Sequence, residues 1–259
     1  MRFIVSLIFL LSQFALQAQV NTSVVDLDEI LKKTQDFYKN ESSYYIEIQY
    51  KLFENHKDSH PLSTYKGEMG KMKNTYYNNV LGTEMYVGND IMIKASHDQK
   101  AIEVSNNTPN GAEAIFNISG FLKSFKDYKV VQKEEVIRCE LLAPELTSLP
   151  YGKIILYINK KDYSLQRQVM YYLHSSEYKN EKGEMVVSYP KLEINFSQVK
   201  PVSLLEKEVF NKSYYIVQNK GVIQPANNFA NYKVINRINI FYYVLCSWRI
   251  HNGFVSFSV

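Results

Sequence analysis

The 259-residue chain has only two cysteines, Cys139 and Cys246. A disulfide framework is therefore excluded, and at most one bridge can form in an oxidising compartment. No cysteine follows the apolar run at the start of the chain, so the attachment residue of a bacterial lipoprotein is missing. Phosphate-cradling glycine loops, nucleophile elbows and dinucleotide fingerprints are absent as well. The five histidines, His56, His60, His97, His174 and His251, have neither the four-residue helical spacing nor the cysteine company of a zinc site. His56 and His60 stand in a charged loop beside Pro61, which reads as a solvated turn rather than a metal pair. A formal charge of +4 is too small for a general nucleic-acid surface. These absences leave no metal, no cofactor, no nucleic-acid partner and no enzyme to be expected.

What is present begins with a leader. Arg2 supplies a charged region, residues 3–11 and 14–16 an apolar run, and Ala18 a small residue before a cut, so residues 1–18 read as a signal peptide. Ser12, Gln13 and Gln17 interrupt a run already short of the roughly 20 residues that a bilayer span needs. Export with cleavage, and a mature chain that does not span the membrane, are expected. The remaining composition, 46% apolar and 22% charged, suits one folded domain, assigned to residues 19–236.

Asp26 and Glu29 resemble a capping box, and Leu27, Ile30, Leu31, Thr34, Phe37 and Tyr38 recur behind them at helical spacing. The spacing predicts an amphipathic helix over 27–38 whose stripe faces the core. From Tyr44 the period changes to two: Tyr44, Ile46, Ile48, Tyr50 and Leu52 fall on one face and Tyr45, Glu47, Gln49 and Lys51 on a wetter one. Further strands are expected at 64–72, 75–81, 90–95 and 100–105, then at 128–132, 136–142, 153–158, 165–173, 185–189 and 191–198. Residues 106–114, with Pro109, Asn110 and Gly111, read as a loop, and 115–125 as a short helical passage. Tyrosine is abundant, at 21 residues, and suits half-buried strand positions. Triplets such as Asn117 with Ser119 and Asn195 with Ser197 match a glycan acceptor pattern and receive no role.

After Glu208 no acidic residue occurs, while Lys212, Lys220, Lys233, Arg237 and Arg249 remain. Residues 237–259 form an apolar and basic appendage, and Asn252 with Gly253 before an alternating end predicts a terminal hairpin or an added edge strand.

The order of segments resembles the LolA/LolB-like superfamily of periplasmic lipoprotein carriers. Three passages carry the likeness. Residues 67–73 look like the family's strand from a glycine to a basic residue; residues 87–93, with Gly88, Asn89 and Asp90, are similar to its turn into an apolar strand; and residues 128–144 resemble its hairpin ending in Leu-x-Pro, here Leu142, Ala143 and Pro144. The resemblance covers residues 24–236. It implies an α+β, mostly β fold: a curved antiparallel sheet, or half-barrel, covered on its concave face by helices. It also implies a soluble periplasmic carrier or binding protein of a Gram-negative bacterium, with a lipid or lipoprotein acyl chain as ligand. An envelope assembly or secretion-accessory protein, using the fold without a lipid and binding envelope proteins, is the alternative.

Lys73 is matched to the family's lid-locking arginine and Asn74 to its following proline, while Met85, Ile91 and Ile93 become candidate cavity walls. Lysine keeps the charge but lacks the planar five-donor fork, so a release step that depends on that fork is not expected here.

Overall fold

The computed structural model describes residues 26–106, 124–179 and 182–238. The leader, the passage at 115–123 and the terminal hairpin at 251–259 lie outside the described residues. Helix α1 (Leu27–Asn40) is capped by Asp26, whose Oδ1 accepts from the Asp28 N–H at 3.0 Å. Glu29 does not close the capping box and instead pairs with Lys33 one turn on, at 2.7 Å. The stripe Leu27, Ile30, Leu31, Thr34 and Tyr38 is buried, as its helical spacing demands.

The strands are β1 (Ser43–Phe53), β2 (Ser63–Met72), β3 (Thr75–Val80), β4 (Thr83–Val87), β5 (Ile91–Ser96), β6 (Ala101–Asn106), β7 (Asp127–Lys133), β8 (Val136–Leu142), β9 (Tyr151–Asn159), β10 (Leu165–Tyr172) and β13 (Lys191–Phe196). They join β16 (Lys233–Asn236) in one twelve-stranded sheet of order β16-β6-β5-β4-β3-β2-β1-β13-β10-β9-β8-β7. Every pairing is antiparallel except β16 with β6. Two small hairpins stand apart, β11 (Ser176–Lys179) with β12 (Met185–Ser188), and β14 (Ile216–Asn219) with β15 (Val222–Pro225). The sheet is curved and open, and the architecture is mostly β, as the sequence leads one to expect.

Its two halves bury opposite faces. Side chains alternate along a strand and align across a register, so the face carrying α1, here the front, is traced through Tyr44, Ile46 and Ile48 of β1 to Lys71, Met69 and Gly67 of β2, and through Tyr50 and Leu52 to Ile194 and Leu192 of β13. On the front, α1 packs on β1, β13 and β10 through β8, with Leu31, Ile46, Cys139, Leu156 and Ile158 in one core. On the back, Tyr86, Ile93, Ala95, Ile102 and Val104 are covered by a strap, residues 201–236. The strap contributes Phe210, Tyr215 and Phe229, holds the single turn α2 (Lys212–Tyr215), and ends by adding β16 to the sheet edge.

β1 is where the cover changes sides. Tyr44, Tyr45 and Ile46 are buried in succession, which a strand with one wet face cannot show. Tyr45 thus departs from the wetter side expected of it, because the strap starts there: Tyr45 and Lys200 exchange two backbone hydrogen bonds of 2.9 Å.

Gly70 faces the strap from β2. A Cβ there would meet Leu205 Cδ1 at 2.5 Å and Phe210 Cζ at 2.8 Å, so the absence of a side chain lets the strap sit flat. Gly70→Val is expected to destabilise the protein by about 2–3 kcal/mol through overpacking, measured by urea unfolding, and to speed proteolytic loss of residues 201–236.

Candidate functional site

The front face beside α1 is organised by a buried lysine. Lys71, 5% exposed, lies on the same front parity as Met69 and donates to the carbonyls of Tyr38 at 3.1 Å and Lys39 at 2.7 Å. Those carbonyls belong to the last turn of α1, where helix acceptors lack intrahelical partners and carry the negative end of the dipole. The ammonium also lies 5.6 Å from the centre of the Tyr76 ring. Burial lowers the Lys71 pKa from the ordinary lysine value, with Glu41 opposing the shift and Lys39 adding to it. Tyr38 fastens the same turn to the other side, its hydroxyl accepting from the Leu165 N–H at 3.0 Å. Burial pushes that phenol up to about 12. One helical turn is thus tied to β2 and to the start of β10.

On the same face, toward the other end of β1 and β2, Tyr50, Val80, Met85, Ile194 and Phe196 are half-buried. Gly67 lies among them; a Cβ on it would meet the Tyr50 ring at 2.9 Å. Two buried polar atoms on this face, the Tyr44 hydroxyl and Asn78 Oδ1, have no hydrogen-bond partner among the described residues.

The four residues singled out from the sequence do not converge. Lys73 is exposed in the two-residue connection between β2 and β3, at φ 55°, with its N–H bonded to the Ser42 carbonyl at 2.7 Å. Met85 lies on the front, opposite Asn78 of β3. Ile91 and Ile93 point to the back and are buried under the strap with Tyr86, Tyr215 and Phe229. Register decides this: Ile93 pairs with Tyr86, the neighbour of Met85, so the two side chains leave the sheet on opposite sides. The basic group that reaches the helix is Lys71, two residues before Lys73. Its signal was its parity with Met69, which makes it an inward-facing lysine in an alternating strand.

The back carries a groove of about 890 Å³ across β1 to β3, where Glu47, Gln49, Lys66, Glu68 and Asn79 are among the lining residues. In its floor the Glu68 carboxylate accepts from the hydroxyls of Tyr45 at 3.3 Å and Tyr77 at 3.4 Å. Deeper in the sheet, Glu84 is 7% exposed and accepts from the Tyr215 hydroxyl at 3.2 Å and pairs with His97 Nε2 at 2.7 Å. His97 Nδ1 shares a 2.7 Å hydrogen bond with the Tyr232 hydroxyl, and its ring stacks on Phe229. Glu84, His97 and Tyr232 therefore pin the strap to the sheet. Burial, reinforced by Glu84 and Glu68, raises the Tyr77 phenol, and burial together with Glu68 raises Tyr45 to about 12. Phenols so held stay protonated and serve as donors. Among the described residues no group of three or more His, Cys, Asp or Glu side chains is placed to hold a metal ion. Cys139 is buried against the front core, and burial pushes its thiol up to about 12.

No family model matches the sequence, and no curated protein matches it. Among solved structures, the chain is similar to an uncharacterized conserved protein from Thermus thermophilus, at 14% identity over 81% of this chain and 98% of that one, with a TM-score of 0.42. It is also similar to a LolA superfamily protein from Nitrosomonas europaea, at 15% identity over 72% of this chain and 97% of that one, with a TM-score of 0.34. These are likenesses of backbone, at identities too low to carry function. No described helix is long and apolar enough to cross a membrane.

Two substitutions separate the lysines. Lys71→Ala removes the donor from two helix-end carbonyls and is expected to cost about 2 kcal/mol. Lys73→Gly relieves a left-handed residue and is expected to stabilise by roughly 0.5–1 kcal/mol. Equal effects of the two in urea unfolding would contradict these assignments.

The lowered Lys71 pKa fixes a sign too. The unfolded chain binds more protons than the folded one between the folded value and 10.5. This residue's contribution to stability therefore rises with pH across that window. Lys71→Met should flatten that rise in unfolding measured up to the alkaline limit.

Proposed function

We propose that this chain is a non-enzymatic binding protein of the bacterial cell envelope that holds an acyl chain, from a lipoprotein or another lipid, against the front of its sheet. The observation that carries the reading is the half-buried apolar strip of Tyr50, Val80, Met85, Ile194 and Phe196 on the face that carries the helix held by Lys71. Apolar walls with a few placed polar groups are what lipid sites require. The Tyr44 hydroxyl supplies a donor for an ester carbonyl, and Asn78 Oδ1 an acceptor for a head-group hydroxyl or ammonium. Met85 remains a wall residue in this reading, and Ile91 and Ile93 become part of the strap's core. Lys71 takes the helix-holding role first matched to Lys73. The leader pattern at residues 1–18 supports delivery to the periplasm.

Titration of the purified protein with a fluorescent fatty acid tests this. Saturable uptake is expected, weakened about tenfold or more by Met85→Glu, which sets a carboxylate against the chain. Val217→Glu, on an exposed strand of the strap, should leave it unchanged. Absence of saturable uptake, or equal loss in both variants, contradicts the reading.

A second reading, an envelope assembly component that binds protein instead of lipid, is favoured by one feature. At the end of the sheet where β1 turns into β2 and β8 into β9, Leu62, Leu146, Met185 and Val187 are 64%, 96%, 60% and 53% exposed. Under this reading a crosslinker placed at Leu146 captures a stable envelope partner, and no fatty acid is taken up.

A further inference from the structure

We infer that the protein pairs with a second copy of itself through β7, joining two sheets edge to edge. β7 ends the strand order, and among the described residues it pairs only with β8. Six of its seven residues are exposed, with only Val130 half-buried. A free strand edge carries unpaired N–H and C=O groups, and lysines on it ordinarily repel a second strand. Here the charges are arranged differently.

Antiparallel pairing of β7 with its own copy, centred on Val130, sets Asp127 opposite Lys133. Two-fold symmetry repeats the pair, so an oppositely charged pair closes each end of the ladder while Val130 meets Val130. Opposite charges facing across an antiparallel ladder are favourable and like charges unfavourable. Neighbouring registers lose the match. Centred on Val131, the pairing sets Lys129 opposite Lys133; centred on Lys129, it leaves Asp127 facing Val131. The contact Lys133 makes within its own chain, 4.0 Å to Glu134, is solvent-exposed on both sides and competes weakly. Because Val130 lies on the α1 side with Cys139, the axis runs through the sheet and the two front faces point the same way.

A seven-residue ladder makes a small interface, and a weak, concentration-dependent dimer follows. Sedimentation of the purified protein over a concentration series tests it. The wild type is expected to show a reversible monomer–dimer equilibrium that weakens with added salt. Asp127→Lys and Lys133→Asp each turn two attractive pairs into repulsive ones and should weaken the dimer about tenfold. An equimolar mixture of the two variants, and the double variant Asp127→Lys/Lys133→Asp, should recover it. Both positions are exposed, so melting temperatures stay at the wild-type value, separating a lost interface from a lost fold. A wild type that remains monomeric at every concentration, or a dimer indifferent to the swaps, overturns the inference. The lipid reading is untouched by either outcome, because its readout is fatty-acid uptake.

Discussion

β1 is the strand on which both halves of the molecule depend. It lies in the middle of the sheet, between β13 and β2, and its first half is buried on two faces at once. Tyr44 and Ile46 press into the core under α1, while Tyr45 is closed over by the start of the strap. Twelve strands need more cover than one fourteen-residue helix supplies. The chain meets that need by placing α1 on the front of one half and the strap on the back of the other.

Each cover is held by a buried charged side chain that the sheet provides. Lys71 points forward from β2 into the end of α1, and Glu84 points back from β4 to Tyr215 and His97 of the strap's anchorage. A buried charge is costly unless its partners are in place, so each one specifies where its cover must sit more than it adds to stability. The same asymmetry divides the chemistry of the two faces. The front beside α1 is apolar, with two polar atoms that have no partner among the described residues, and the back is ordered by phenol and carboxylate hydrogen bonds.

Much of the sheet was legible in the sequence because alternation of period two survives wherever only one face is wet. The alternating runs in 44–52, 64–72 and 191–198 correspond to β1, β2 and β13, and the apolar stripe behind Asp26 to α1. β4 was not among the expected strands because its five residues lie between the tight turns at Leu81-Gly82 and Gly88–Asp90, too short to show a period. The strap was missed for another reason. Its strands are four residues long and its core side chains, Phe210, Tyr215 and Phe229, come from irregular turns with no period. The site was less legible than the fold. Choosing Met85 together with Ile91 and Ile93 needs the register of β4 on β5, which is a tertiary fact. Lys71 needed only its parity, but a lysine beside a turn reads as exposed until the helix end above it is known.

Hydrogen exchange of the backbone, with and without a saturating fatty acid, bears most directly on the claim that the front face is the binding surface. Slowed exchange is expected in β1, β2, β13 and the last turn of α1, with residues 201–236 unchanged. Protection confined to residues 201–236, with the front strands unaffected, would contradict the claim.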